Sequence, residues 1–147
     1  MYLSKEIAII YDKINLYDRY KSMLGLYNKT DNLIEKVDKN TVLKIFEEIG
    51  YSAKYKTKEK FYQITEINQG KIFYFHTSLL RGRVELIFGL KEDFNGEHLG
   101  GQISGVCKRI ELNKGIHSDG YLRYSTFNSY DELKSILSLS LQLYEDR

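Results

Sequence analysis

The sequence predicts an α+β fold: an antiparallel meander of four or five strands, with N-terminal and C-terminal helices packed mainly on one face. Three observations predict it. Apolar residues recur at three- and four-residue spacing over residues 4–49, alternate over residues 51–91, and return to helical spacing near the C-terminus. Close turns separate the alternating runs, which means hairpins. No linker, internal repeat or low-complexity tract divides the chain, so residues 1–147 form a single domain, large enough to bury a core without metal or disulfide staples.

The elements follow in order. Leu3, Ile7, Ile10, Ile14, Tyr17 and Leu24 place one apolar stripe on a helix over residues 4–27, with Ser4 as N-cap and Lys21 interrupting the stripe. Asp31 can cap a second helical region over residues 31–49, where Ile34, Val37, Thr41 and Ile45 share a side. Asp38-Lys39-Asn40 is a break point, with Asn40 recapping the helix from Thr41 and Gly50 closing it at C′. Tyr51, Ala53 and Tyr55 then alternate with Ser52, Lys54 and Lys56. Phe61 to Ile67 is rich in β-formers, and Asn68-Gln69-Gly70 and Arg81-Gly82 are turns. Phe73 and Phe75 oppose Tyr74 and His76, and Val84, Leu86, Phe88 and Leu90 alternate to the end of the meander.

Residues 92–101 read as a polar, glycine-containing loop. Ile103, Val106, Cys107 and Ile110 have helical spacing, which favours a short helix over 102–110, with strand as the alternative. Residues 113–120 are loop, and Tyr121 to Phe127 is a strand or an extended lead-in. Ser129-x-x-Glu132 is a capping box, in which the Ser oxygen takes the N3 amide and the Glu carboxylate reaches back to the N-cap amide. The helix over 130–145 turns Leu133, Ile136, Leu137, Leu141 and Tyr144 inward. Ser140 shares that face, so another element approaches closely there.

Net charge is +2, unevenly spread. Residues 51–91 hold eight basic and three acidic side chains, and residues 92–147 six basic and nine acidic, while the first 50 residues cancel. A two-signed surface suits recognition by complementary potential. The lone cysteine, Cys107, excludes an intrachain disulfide and fits a reducing compartment. The residues from Met1 do not form a signal peptide, and no run approaches the roughly 20 apolar residues that span a bilayer. The expected protein is soluble and cytoplasmic, without membrane contact.

No residue pattern carries catalysis. His76, His98 and His117 lack metal-ligand spacing, so no metal site is expected; His76 reads as a hydrogen-bonded strand residue and the other two as loop residues. Cys107 sits on an apolar face, where a buried, inert thiol is the common case. Glu47 and Glu48 diverge by about 100° around a helix axis, and Asp131 and Glu132 serve the helix cap and dipole. Gly100-Gly101 and Gly105 form neither a dinucleotide fingerprint nor a P-loop. No cofactor and no enzymatic activity are expected. The rival signal is basic and aromatic: Lys54, Lys56, Lys58, Lys60, Arg81 and Arg83 with Tyr55, Tyr62 and Tyr74, a composition that suits single-stranded nucleic acid.

The run from residue 85 to 147 (strand, glycine loop, short helix, variable loop, Tyr121 to Phe127, then Asp131-Glu132-Leu133 and Leu143-Tyr144-Glu145-Asp146) resembles small bacterial immunity proteins of polymorphic toxin systems, including those of the contact-dependent-inhibition type. The resemblance implies a non-enzymatic inhibitor whose partner is a cognate toxin domain, a nuclease being one candidate, with the toxin's active site occluded. The slightly basic chain departs from the acidic character common among nuclease inhibitors, which argues against simple nucleic-acid mimicry. The expected partner-binding residues are Glu92, Asp93, Glu97 and Asp119 as charged contacts, with Tyr121 as the anchor. The alternative is a nucleic-acid-binding module built on strands 51–91.

Overall fold

The computed structural model describes residues 5–91, 98–116 and 124–147. The fold is α+β with an antiparallel sheet, as the sequence predicts. Strands β1 (Lys54–Lys56), β2 (Phe61–Asn68), β3 (Lys71–Leu80), β4 (Arg83–Lys91) and β5 (His98–Gln102) lie side by side in chain order. A two-residue strand, β6 (Ser125–Thr126), also pairs with β4.

Two hairpins set the register. Gln69 and Gly70 (φ 54° and 78°) join β2 to β3, and Arg81 and Gly82 (φ 55° and 76°) join β3 to β4. Positive φ at both central residues is the turn geometry whose twist matches that of paired strands. Tyr62 therefore faces Thr77, Phe75 faces Phe88, and Leu79 faces Val84. Tyr62, Ile64, Phe75, Leu79, Val84, Leu86 and Phe88 share the buried face of the sheet.

Helices cover that face. α3 (Lys39–Ile49) and α5 (Tyr130–Asp146) deliver Phe46 and Tyr144 to the centre of the sheet. The Phe75 ring lies 5.5 Å from Phe88, 6.3 Å from Phe46 and 5.7 Å from Tyr144, centroid to centroid, the last two edge-on. Aromatic pairs at these separations add about 0.5–1.5 kcal/mol each beyond the area they bury. Leu133, Ile136, Leu137, Leu141 and Tyr144 are all buried, as their spacing requires. Ser140 is fully buried beside α2 (Leu16–Leu26), its Oγ donating to the Ile136 carbonyl at 2.7 Å and lying 3.7 Å from the Met23 sulfur.

Several expectations are corrected. The first helix is two: α1 (Lys5–Lys13) ends, Asn15 adopts a left-handed conformation (φ 58°), and α2 restarts at Leu16. Short polar Asn tolerates that conformation, and the kink redirects the stripe. Tyr11, Ile14, Leu16, Tyr20 and Met23 are buried, while Ile10 is exposed. Leu3 and Ser4 fall outside the described residues.

In the second region, residues 31–38 are irregular and Asp31 caps nothing. Asp38, not Asn40, is the N-cap of α3: its carboxylate accepts from the Thr41 amide at 3.0 Å and from the Thr41 hydroxyl at 2.7 Å. Gly50 closes the helix at φ 115°. Residues 98–102, read mostly as loop, form β5. The segment after it is helix, α4 (Ile103–Lys114), longer than the spacing suggested. The capping box is shifted by one residue. Ser129 Oγ accepts from the Glu132 amide at 3.1 Å, but Glu132 reaches back to the Asn128 amide at 2.9 Å and to Lys29 at 3.0 Å.

Candidate partner-binding site

All five residues expected to bind a partner, Glu92, Asp93, Glu97, Asp119 and Tyr121, lie outside the described residues. Two features of the described surface bear on binding.

The first is the sheet itself, which divides the basic aromatic stretch between its faces. Alternation places Lys54 and Lys56 beside Gln63 and Phe61, and Tyr55 beside Tyr62 on the other side. Tyr62 is buried and Tyr55 packs against the core, so neither is presented as a platform. The opposite face carries Phe61, His76 and Tyr74 as a series of rings, with Phe61 stacked on His76 at 4.3 Å and Tyr74 at 4.9 Å from His76. His76 Nε2 meets Gln63 Nε2 at 3.1 Å, the hydrogen-bonded strand role expected of it. Tyr74 is buried over Gly89, where a side chain would collide with its ring.

The second feature is a cleft of about 1100 Å³ where β5 and β6 both leave β4. The long edge of β4 is shared: Ile87 to Lys91 pair with β5, and Arg83 and Val84 with β6. Gln102 marks the end of one strand and Thr126 the other, and both line the notch between them. α4 starts there with Ser104 and Gly105, and α2 and the loop after it supply Leu24, Asn28, Lys29 and Thr30. The loop is tied to β6 by two bonds, Thr126 N to the Tyr27 carbonyl at 2.9 Å and Thr126 Oγ1 to the Lys29 carbonyl at 2.6 Å, and Ile34 N bonds to the carbonyl of Phe127 just beyond it at 3.3 Å. Tyr124, next in sequence after the segment holding Asp119 and Tyr121, also lines the cleft, its hydroxyl accepting from Gln102 at 2.5 Å.

The cleft's electrostatics are one-signed. Lys29, Arg83 and Lys108 line it, and none of the described lining residues is acidic. Glu132 holds Lys29 at 3.0 Å and Glu111 holds Lys108 at 3.6 Å. Arg83 is exposed and has no carboxylate within ion-pair distance among the described residues.

Cys107 is fully buried, and loss of water pushes its thiol up to about 12, with the Glu111 carboxylate adding to the effect. Glu111 is itself buried and accepts from the Tyr17 hydroxyl at 2.6 Å; burial first and that carboxylate second push the Tyr17 phenol up to about 12. No group of three His, Cys, Asp or Glu residues among the described residues is placed to hold a metal ion. Among the described residues no helix is long and apolar enough to cross a membrane.

No sequence pattern pointed to the cleft. Residues near 28, 83, 105 and 125 build it, and no periodicity links positions so far apart; the Arg81-Gly82 turn signal placed Arg83 at a strand end without saying what lay beside it. Compared with models of known protein families, with curated proteins and with solved structures, the chain matches none.

Proposed function

We propose that this chain is an immunity protein, a non-enzymatic inhibitor that binds a cognate bacterial toxin domain in the cytoplasm and occludes its active site. The observation that carries the reading is the layout of residues 85–147: a strand, a glycine pair where β5 passes into α4, a short strand returning to β4, and a capped terminal helix. That order is the one in which the chain resembles immunity proteins. The surface also supports it. Cations and hydroxyl and amide groups line the cleft without a carboxylate, cysteine or histidine among the described lining residues, a set suited to recognition by complementary charge.

The test is genetic and physical. A toxin-like reading frame beside this gene, lethal when expressed alone, should become harmless when this chain is co-expressed, and the two purified proteins should form a stable complex. A toxin that still kills, or two proteins that do not associate, would remove the reading.

A second reading, a nucleic-acid-binding module, draws support from one observation: the Phe61 ring stacks on His76 on the same sheet face as Lys54 and Lys56. Rings for bases and cations for phosphates are the two parts of a single-strand site. Binding of this kind weakens steeply with salt because counterions are released. Replacing Lys54 and Lys56 with Glu should abolish it, and no retention of RNA or single-stranded DNA at low salt would eliminate it.

A further inference from the structure

We infer that the notch between β5 and β6 is the docking cleft for an acidic segment of the partner protein, held chiefly by Arg83; this rests on the inhibitor reading above. Three cationic side chains line the cleft, and no described lining residue opposes them from within it. Two of the three are held by carboxylates, Lys29 by Glu132 and Lys108 by Glu111, which fixes their positions and partly neutralises them. Arg83 has no such partner among the described residues, and its planar fork of donors suits a carboxylate bidentately.

The occupant follows from what else is present. Single-stranded nucleic acid needs ring faces on which bases stack. Tyr124 is the one aromatic residue among the described residues lining the cleft, too few to stack successive bases. The Ser104 hydroxyl and the Asn28 amide can donate to carboxylate or peptide oxygens, whereas the Thr126 hydroxyl gives its proton to the Lys29 carbonyl.

The experiment follows backbone amide signals of the full chain during titration with hexaglutamate, oligo-dT and inorganic phosphate separately. Hexaglutamate should produce saturable shifts at Ser104, Gly105 and Thr126. Arg83→Glu should weaken that binding at least about tenfold, and Arg83→Lys should weaken it less, because only the bidentate geometry is lost. Arg83 is exposed, so signals elsewhere should report an unchanged fold in both variants. Absence of shifts at the cleft, shifts that survive Arg83→Glu, or tighter binding there of oligo-dT or phosphate than of hexaglutamate would each overturn the proposal. Protection assays separate it from the reading on which it rests. Protection by Arg83→Glu equal to that by the wild type overturns the cleft and leaves the inhibitor. Hexaglutamate binding that is Arg83-dependent, in a chain that protects against no neighbouring toxin, supports the carboxylate site and retires the inhibitor.

Discussion

Gly100→Ala tests whether the sheet closes on β5 as described. Gly100 sits opposite Gly89 on β4, and Gly89 in turn sits opposite Tyr74 on β3. Its φ is 120°, a region that residues with a side chain rarely enter, at a cost of about 1–3 kcal/mol. An added Cβ would lie 2.3 Å from the Phe88 carbonyl oxygen and 3.0 Å from the Gly89 Cα. The obstacle is backbone, and β4 is held by β3 on its other side, so it cannot swing away as a flexible side chain would. Overpacking of this kind adds about 1–3 kcal/mol, for a total near 4 kcal/mol. With a urea slope of roughly 2 kcal/mol per molar, the unfolding midpoint should fall by about 2 M. Circular dichroism during urea titration reads it. Gly101→Ala separates the two contributions, since its φ is 156° and nothing lies within 4 Å of the added Cβ. Gly25→Ala, inside α2 with nothing within 4 Å, should stabilise by up to about 1 kcal/mol through helix propensity. A Gly100→Ala midpoint within about 0.5 M of the wild type, with Gly25→Ala behaving as expected, would refute the close approach of β5 to β4.

Further outcomes concern single side chains. Cys107 should react slowly with a disulfide reagent at pH 8 in the folded chain and fast in urea, because a thiol pushed up to about 12 by burial is almost wholly protonated there; rapid labelling of the folded protein would contradict its burial. Glu132 is held below the usual carboxylate range by the Asn128 amide first and by Lys29, against a smaller opposing effect of burial. Its folded pKa is depressed, so its contribution is present above about pH 4.5 and lost as pH falls through the folded value. The stability gap between wild type and Glu132→Gln should therefore be widest near neutrality and close in acid; a gap that is constant with pH would sink this. Ser140→Ala should change stability by less than about 1 kcal/mol, because the lost bond is a back-bond within its own helix, whereas Ser140→Leu should cost about 1–3 kcal/mol or more by forcing a side chain against Met23. Equal melting temperatures for the two variants would refute the close packing of α5 on α2.

The meander was legible because its information is local. Alternation in β2 to β4 names the faces, and Gln69-Gly70 and Arg81-Gly82 name the turns, so register follows without tertiary knowledge. The inward stripe of α5 was legible for the same reason. Asn15 was not, because apolar spacing continues across it, and only packing of both halves on one core decides that the chain bends there. Asp38 and Asn40 are both competent caps; which one serves depends on where Val42, Ile45 and Phe46 must point. β5 was hidden by its own glycines. Gly100 and Gly101 read as a turn, and they form a strand because Gly89 opposite lacks a side chain and the Tyr74 ring covers it. The cleft was illegible because it is made of four distant stretches that only the sheet's edge brings together.

The division of β4's edge between two short strands has a consequence for how this molecule associates. A sheet grows by strand addition when it offers a long, flat row of unpaired amides and carbonyls. Here the outermost strand on one side, β1, is three residues long and carries Lys54 and Lys56, both exposed. On the other side the outer row is broken into five residues of β5 and two of β6, with the cleft between them. Among the described residues neither side offers a continuous template, so the protein should stay free of cross-β stacking at concentrations where an open-edged sheet would polymerise. Recognition must then be written in side chains, whose identities can be exchanged one at a time without disturbing the ladder beneath them.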